Sequence, residues 1–288
     1  MPPRSLTFTS TTDPLEAKAW FAGLIEREPA ALSVIASVVD SLVVDPERFA
    51  DPRWWAGREG GPDGTVVAAV MHTLTRPVYI GWATPEAARQ LAEQLAREQH
   101  VAGGVGGDRE AALAFADTWV AERGGRAVTT MELGAFDLPA EATLPFEVAG
   151  NARPAEPDDV DLVDGWMRSF QLEVEAGHVD PPAVPPPGLE PAVRDGRVLL
   201  WVNDHRAVSM AYTSVPNGGV VRISGVWTPP EHRRHGYASA VVADLSRLQS
   251  EAGYRCLLFT DLANPTSNAI YQAIGYRRIG DQVTIDFG

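Results

Sequence analysis

The segment from Arg222 to Tyr276 constrains the fold of this 288-residue chain more than any other part of it. A predicted strand ends at Thr228, and two prolines and a predicted amphipathic helix flank the run Arg233-Arg234-His235-Gly236-Tyr237-Ala238. Small residues in an R-x-x-G-x-A sequence let the backbone approach a bulky anion. The amides of the first helical turn point outward, where the helix dipole also favours negative charge. We interpret this turn as a cradle for a diphosphate.

A second motif follows the next predicted strand. It reads Asn264-Pro265-Thr266-Ser267-Asn268-Ala269-Ile270-Tyr271 and is completed by Gly275-Tyr276. The order strand, cradle, helix, strand, Asn, short helix, Tyr resembles the acetyl-CoA site of the GCN5-related N-acetyltransferase (GNAT) superfamily over about residues 150–287. Because two separated motifs occur in the order that the family shows, the resemblance is specific.

The resemblance implies acetyl-CoA as co-substrate and transfer of its acetyl group to a primary amine by direct attack in a ternary complex. It also implies that the strand before the cradle is splayed from its neighbour. The pantetheine arm would then pair with free backbone groups at Val226 and Thr228, beside a bulge at Gly225. The residues expected to contact the cofactor are Val226, Trp227, Thr228, Arg233, Arg234, His235, Gly236, Tyr237, Ala238, Ser239, Asn264, Ser267, Asn268 and Tyr271.

Tyr271 is the expected catalytic residue, because acyl transfer expels a thiolate that a tyrosine hydroxyl can protonate. The alternative is a tyrosine packed at a helix–sheet seam. Many relatives carry a glutamate on the cradle strand, whereas residues 220–224 contain none, so the general base stays open. Glu173 and Glu175 are candidates to bind the amine, with solvated surface carboxylates as the alternative. The proline-rich segment 181–188 is either a stiff flap at the acceptor site or a plain linker.

The length suits two domains of about 140 residues each, and the predicted strands and helices occur in the same order twice. We therefore expect an α/β fold of two tandem GNAT-like domains, residues 1–140 and 141–288. Each would have a mixed, mostly antiparallel sheet flanked by helices. The first copy has Tyr79-Ile80-Gly81-Trp82 where the second has its cradle strand, but it continues into a helix without any R-x-x-G-x-A. We expect this first domain to be a degenerate copy that does not bind the cofactor.

Several local expectations accompany this division. The first 45 residues are predicted to be helical, and a loop is predicted around residues 51–55. The glycines of Gly103–Gly107 are predicted to form a turn at a strand end, because they lack the Lys-Ser/Thr of a phosphate loop. The chain is predicted to end in two short strands, 276–279 and 282–287.

A formal net charge of −14 argues against nucleic acid or an anionic membrane as partner, and a small-molecule amine is the expected one. There is no apolar run of about 18 residues and no signal peptide at the amino terminus. Cys256 is the only cysteine, which excludes intramolecular disulfides and fits a reducing cytoplasm. Lys18 is the only lysine among many arginines, which we interpret as the composition of a GC-rich bacterial genome. No His, Cys or carboxylate cluster has the spacing of a metal site.

Two alternatives to an N-acetyltransferase remain open from the sequence. One is a CoA-binding regulatory module without turnover, against which the presence of Tyr271 argues. The other is an acyltransferase that uses a longer acyl-CoA or a hydroxyl acceptor. The acceptor and the oligomeric state are not determined by the motifs.

Overall fold

The structure is a computed structural model that describes residues 6–74, 76–175 and 189–288, with the side chains of Val174 and Glu175 also outside the description. The proline-rich segment 181–188 lies outside the described residues, so its role stays a prediction. The chain divides into two compact units. The first comprises Met1–Gly134 together with Gly280–Gly288, and the second comprises Ala135–Ile279. The division expected at residue 140 did not anticipate that the end of the chain groups with the first unit.

The first unit is built from strands that precede and follow four helices. Its elements are β1 (Thr7–Thr11), α1 (Pro14–Arg27), α2 (Pro29–Val44), β2 (Arg53–Glu59), β3 (Thr65–His72), β4 (Val78–Trp82), α3 (Pro85–Arg97), β5 (Gly104–Asp108), α4 (Arg109–Arg123) and most of β6 (Ala127–Asp137). The last strand of the chain, β12 (Arg277–Phe287), adds its final residues to this unit. The strand order is β1-β2-β3-β4-β5-β12-β6.

The second unit repeats this arrangement. Its elements are β7 (Asn151–Pro154), α5 (Val160–Glu175), α6 (Glu190–Arg194), β8 (Val198–Asn203), β9 (Arg206–Thr213), β10 (Val220–Trp227), α7 (Tyr237–Glu251), β11 (Arg255–Asp261) and α8 (Pro265–Ile274), with 3-10 turns at Pro157–Asp159 and Pro230–His232. The strand order runs β11-β10-β9-β8-β7. Strand β4 runs parallel to β5 and β10 runs parallel to β11, whereas β7–β8, β8–β9 and β9–β10 are antiparallel. The expected mixed α/β fold with helices packed on its sheets is therefore confirmed.

Three helices of the first unit begin at a side-chain cap. Asp13, Thr84 and Asp108 each accept a hydrogen bond from a backbone amide in the first turn of α1, α3 and α4. Each of these first turns also carries a glutamate, which the positive end of the helix dipole stabilises. These helix N-termini are thus already supplied with negative charge by the chain itself.

The last residues of the chain complete the core of the first unit. Gln282 to Asp286 pair with Asp108 to Gly104 of β5 in an antiparallel ladder. Val283 and Ile285 are only 2% exposed within the core of this unit, and the ring of Phe287 stacks on Trp119 at 5.7 Å. The two short strands expected at the carboxyl terminus are in fact one continuous strand, β12. That part of the sequence prediction was wrong.

The glycine run from Gly103 to Gly107 was also predicted wrongly as a turn. Gly104 to Gly107 lie within β5. A Cβ on Gly104 would lie 2.4 Å from the Ile285 carbonyl oxygen, and one on Gly107 would lie 2.1 Å from the Ile80 carbonyl oxygen. The glycines therefore allow β5 to lie close to the backbone of the strands on both sides of it.

Two strands near the amino terminus were not predicted from the sequence. Strand β1 occupies part of the stretch expected to be helical, and β2 begins at Arg53, inside the expected loop. Trp54 and Trp55 on β2 are buried on opposite sides, one in each of two core clusters of the first unit. Because both faces of this strand are covered, its sequence lacks the polar–apolar alternation that reveals a half-buried strand.

A histidine pair makes the stability of the first unit depend on pH. Nδ1 of His72 lies 2.9 Å from Nε2 of His100, and His72 Nε2 lies 2.9 Å from the Arg76 carbonyl oxygen. Burial lowers the pKa of His72 below 6.5; the carbonyl of Arg76 and the charge of Asp51 oppose this shift. Burial, then the charges of His72 and Arg53, lower the pKa of His100, against Glu98 and Asp51.

We expect the free energy of unfolding to fall as the pH drops through about 6.5 and below. The unfolded histidines take up protons in that range, whereas the folded pair resists protonation, so acid favours the unfolded state. Urea unfolding between pH 8 and pH 5 measures the slope. In His100→Gln the slope should be smaller than in the wild type, and an unchanged slope would contradict this assignment.

Candidate active site

Strand β10 separates from β11 part-way along its length. The two strands pair in parallel only from Val220 to Arg222, opposite Arg255 to Leu257. Beyond this point, β10 continues to Trp227 and β11 to Asp261 without further recorded pairs in the described part of the chain. The expected splayed strand pair is therefore present, and it opens towards the carboxyl ends of both strands.

A bulge shapes the open edge of β10. Pairing with β9 skips from Ser224 to Trp227, and Gly225 adopts a left-handed φ of 54°. A Cβ on Gly225 would lie 2.6 Å from Met167 and from Tyr212, so only glycine fits there without displacement of its neighbours. Val226 falls inside the bulge, where no partner residue is recorded for it among the described strands. The bulge expected at Gly225 is confirmed.

The end of β10 is fixed by groups that the sequence did not reveal. The hydroxyl of Ser209, a fully buried residue on β9, donates to the Trp227 carbonyl oxygen at 3.0 Å. The same hydroxyl lies 2.9 Å from Oγ1 of Thr228. The Thr228 carbonyl oxygen accepts a hydrogen bond from Nε of Arg233 at 3.0 Å. A carbonyl oxygen can accept a second hydrogen bond, so the expected pairing of Thr228 with a pantetheine arm stays a prediction.

The cradle, residues 233–239, forms a turn that ends in an uncapped helix. Arg234 and Gly236 have left-handed φ values of 66° and 82°, and Gly236 is the N-cap residue of α7. Within the described residues, no side chain caps α7 and its first turn carries no acidic residue. The amides of Tyr237, Ala238 and Ser239 therefore face a site of positive potential without an internal anion. This N-terminus differs from those of α1, α3 and α4.

The three cationic residues of the cradle differ in what they contact. Arg233 is held by the Thr228 carbonyl, stacks over the Trp227 ring at 5.0 Å and forms an ion pair with Glu173 at 2.6 Å. The His235 ring stacks on Tyr237 at 5.4 Å. Arg234 is exposed, and no ion pair is recorded for it within the described chain. Arg234 is thus the cation most available to a diphosphate, while the expected contact of Arg233 with the cofactor stays a prediction.

Glu173 and Glu175 are the two glutamates that the sequence suggests for binding the amine. Glu173 lies at the end of α5 and is 56% exposed, but its carboxylate is engaged by Arg233. An exposed ion pair of this kind is weak, so an amine could compete for the carboxylate, and the role of Glu173 stays a prediction. The side chain of Glu175 lies outside the description, and its role stays a prediction.

The second motif forms the start of α8. Asn264 is the N-cap, and its side-chain oxygen accepts a hydrogen bond from the Ser267 amide at 3.1 Å. The amide nitrogen of Asn268 donates to the carbonyls of Asp261 and Leu262, at 3.1 and 3.4 Å. Its side-chain oxygen is buried and has no hydrogen-bond partner among the described residues. Because an unpaired buried acceptor is costly, this oxygen marks a place where the second motif is incompletely hydrogen-bonded.

Tyr271 lies on α8 and packs against the core of the second unit. Its ring contacts Tyr276 edge-on at 6.2 Å. Burial of the hydroxyl raises the pKa of Tyr271 to about 12, so this group keeps its proton at any physiological pH. A protonated hydroxyl is the form that a general acid requires.

Cys256 lies in the core of the second unit. Cys256 is fully buried on β11, and burial raises the pKa of its thiol to about 11. It is therefore a core residue, as expected, and not a nucleophile.

Among the described residues, no three His, Cys, Asp or Glu side chains are grouped to hold a metal ion. Within the same residues, no helix is both long and apolar enough to cross a membrane.

Comparison with known structures decides the fold. The chain matches an acetyltransferase of the GNAT family from Colwellia psychrerythraea with a TM-score of 0.60 and 9% identity, over 99% of this chain and 100% of that one. A GCN5-related N-acetyltransferase from Sphaerobacter thermophilus matches with a TM-score of 0.57 and 16% identity, over 99% and 96% of the two chains. The fold is that of the GNAT acetyltransferases.

Two further comparisons accompany this result. A Drosophila protein has a TM-score of 0.63 and 14% identity, over 99% of both chains. The sequence model of the FR47-like protein family matches residues 205–285, which contain the splayed strands, the cradle and the second motif. No curated protein matches the sequence. The structural matches thus show a GNAT-type fold over nearly the whole chain, and the FR47-like match is confined to the part that contains the candidate site.

Proposed function

We propose that this GNAT protein is an acetyl-CoA-dependent N-acetyltransferase, with its active site in the second unit and a primary amine on a small molecule as acceptor. The observation that carries the proposal is the uncapped N-terminus of α7, which directly follows the open edge of β10. Bound acetyl-CoA supplies an activated acetyl group and a thiol leaving group.

The residues present fit this co-substrate. The amides of Tyr237, Ala238 and Ser239 and the side chain of Arg234 would hold the diphosphate. The open backbone at Val226 would pair with the amide groups of the pantetheine arm. Within the described residues, no side chain caps α7 and Val226 has no partner in the strand ladders.

In the described part of the first unit, the helix that corresponds to α7 has a different N-terminus. This helix, α3, follows β4 as α7 follows β10, but Thr84 caps it by accepting from the Ala87 amide at 3.2 Å. Glu86 adds a negative charge to the same first turn. An incoming diphosphate would meet a repelling carboxylate there and an amide that is already bonded. These contacts support a first unit that does not bind the cofactor.

Calorimetric titration with acetyl-CoA and a thiol-release assay over a panel of amines test the proposal together. Binding with thiol release in the presence of one class of amine is the expected result. Binding without release for any amine or alcohol would favour a regulatory module instead. Release that is faster with longer acyl-CoA than with acetyl-CoA would favour a different acyl donor. An absence of binding would refute the assignment of the site.

Tyr271→Phe should leave the affinity for acetyl-CoA unchanged and lower turnover by about 10²-fold. The substitution removes the proton donor for the leaving thiolate but keeps the ring that packs on Tyr276. Because the pKa of Tyr271 is about 12, the rate should also show no decrease from titration of this group up to about pH 11. Unchanged kcat in the variant would reduce Tyr271 to a packing residue.

A further inference from the structure

Phe146 lies directly beside the cradle, although it is distant in the sequence. A Cβ on Gly236 would lie 2.7 Å from Cε2 of Phe146 and 3.0 Å from Cγ2 of Val148. The phenyl ring therefore lies against the residue that precedes the free amides of α7. Glycine at this position admits the ring as well as satisfying the left-handed backbone.

The segment that carries Phe146, residues 138–150, is attached to the second unit along its length. The Leu138 amide donates to the Cys256 carbonyl at 3.0 Å, and the Thr143 amide donates to the Ile274 carbonyl at 2.9 Å. At the far end, the indole nitrogen of Trp201 donates to the Ala149 carbonyl at 2.9 Å. These bonds fix the segment across the unit and place Phe146 at the start of α7.

The exposure of Phe146 is not explained by core packing. Its neighbours Leu144 and Val148 pack against the core of the second unit, whereas Phe146 is 48% exposed. The ring thus presents an apolar surface to solvent immediately next to amides that attract an anion. A ligand that fits both features carries a phosphate group joined to a flat, apolar ring system.

We infer that Phe146 is a binding residue for the nucleotide half of the acyl donor, and that its ring stacks on the adenine while the cradle holds the diphosphate. The inference rests on the proposed function, because the acyl donor must be a CoA thioester. Stacking of a base on an aromatic side chain is sequence-tolerant in nucleic-acid complexes and strong enough to change affinity by tenfold or more.

The test is calorimetry on full-length variants with three probes: acetyl-CoA, ADP 3′-phosphate and acetyl-4′-phosphopantetheine. Phe146→Leu keeps an apolar side chain beside Gly236 but removes the flat ring, and Phe146→Tyr keeps the ring. We expect Phe146→Leu to raise the Kd of acetyl-CoA and of ADP 3′-phosphate by about tenfold and to leave that of the pantetheine fragment unchanged. Phe146→Tyr should bind all three probes as the wild type does.

Three outcomes would overturn the inference. Equal affinity of the Leu variant and the wild type for ADP 3′-phosphate would show that the ring makes no contact with the base. Tighter binding by the Leu variant would show that the ring obstructs the cradle. A loss confined to the pantetheine fragment would place the ring at the other half of the donor. If the wild type itself fails to bind acetyl-CoA, the proposed function fails, and this inference fails with it.

Discussion

We expect Ala238→Asp to weaken acetyl-CoA binding strongly without lowering the stability of the protein. Ala238 is the second residue of α7, where a carboxylate lies against the free amides of the first turn. In the folded protein the new charge is favoured by the helix dipole, by about 0.3–1 kcal/mol. For the same reason it occupies and repels the site that a diphosphate needs. Calorimetry should show that the Kd of acetyl-CoA rises by more than about 10²-fold. The new carboxylate repels the negatively charged diphosphate from the amides that would otherwise bind it.

The matched control is Ala238→Asn, which has nearly the same shape but no charge. It should retain much more affinity than the Asp variant, and thermal unfolding should show both variants folded. Gly236→Glu is a less direct test. Its new side chain would contact Phe146 and would require a left-handed backbone at 82°, so loss of binding would mix strain with charge. Retained binding in Ala238→Asp would move the diphosphate site away from α7.

Ile285→Ala should lower the free energy of unfolding by about 3 kcal/mol. The side chain is 2% exposed in the core of the first unit, so its truncation leaves a cavity among β5 and its neighbours. The same strand supplies a matched control, because Ile279 is 47% exposed. Ile279→Ala should change stability by less than about 0.5 kcal/mol.

Urea unfolding measures both variants, and hydrogen exchange locates the effect. In Ile285→Ala, protection should be lost in residues 104–119, which pair with or pack on the end of β12. Equal effects of the two substitutions would show that residues 280–288 contribute little to the first unit. The pairing of β12 also matters for a protein from which the first 140 residues are removed. A chain that begins at residue 141 would keep residues 280–288 but lose β5, with which they pair.

The sequence predicted best where a local pattern has a local cause. The helices beginning at Pro14 and Pro85 follow a good N-cap and a proline at the first position, and both are present. The bulge at Gly225 and the cradle turn depend on glycines in left-handed conformation, which few other residues adopt. The prediction failed at β2 and β5, where burial on both faces or close strand contact removes the alternation that identifies strands.

Some residues of the candidate site were assigned from the sequence, whereas the contacts of others became known only from the structure. The cradle was interpreted from its own residues, and the second motif and Tyr271 were assigned from the resemblance to the GNAT superfamily, because each lies in a short stretch that can be compared along the sequence. Ser209, Glu173 and Phe146 were not assigned to their contacts, since their partners lie 18, 60 and about 90 residues away. No periodicity or motif records a contact between segments so far apart.

By itself, the sequence located an R-x-x-G-x-A turn at a helix start in the second half of this protein and showed that the matching place in the first half has no such run. The R-x-x-G-x-A turn forms locally, because its glycine permits a positive φ and its helix dipole lies along its own backbone. Only the tertiary structure decided which side chains this turn leaves free. It engages Arg233 with Thr228 and Glu173, leaves the oxygen of Asn268 unpaired and sets Phe146 against Gly236. It also gives the last strand of the chain to the first unit, because the apolar side chains of Val283 and Ile285 are buried in that unit's core.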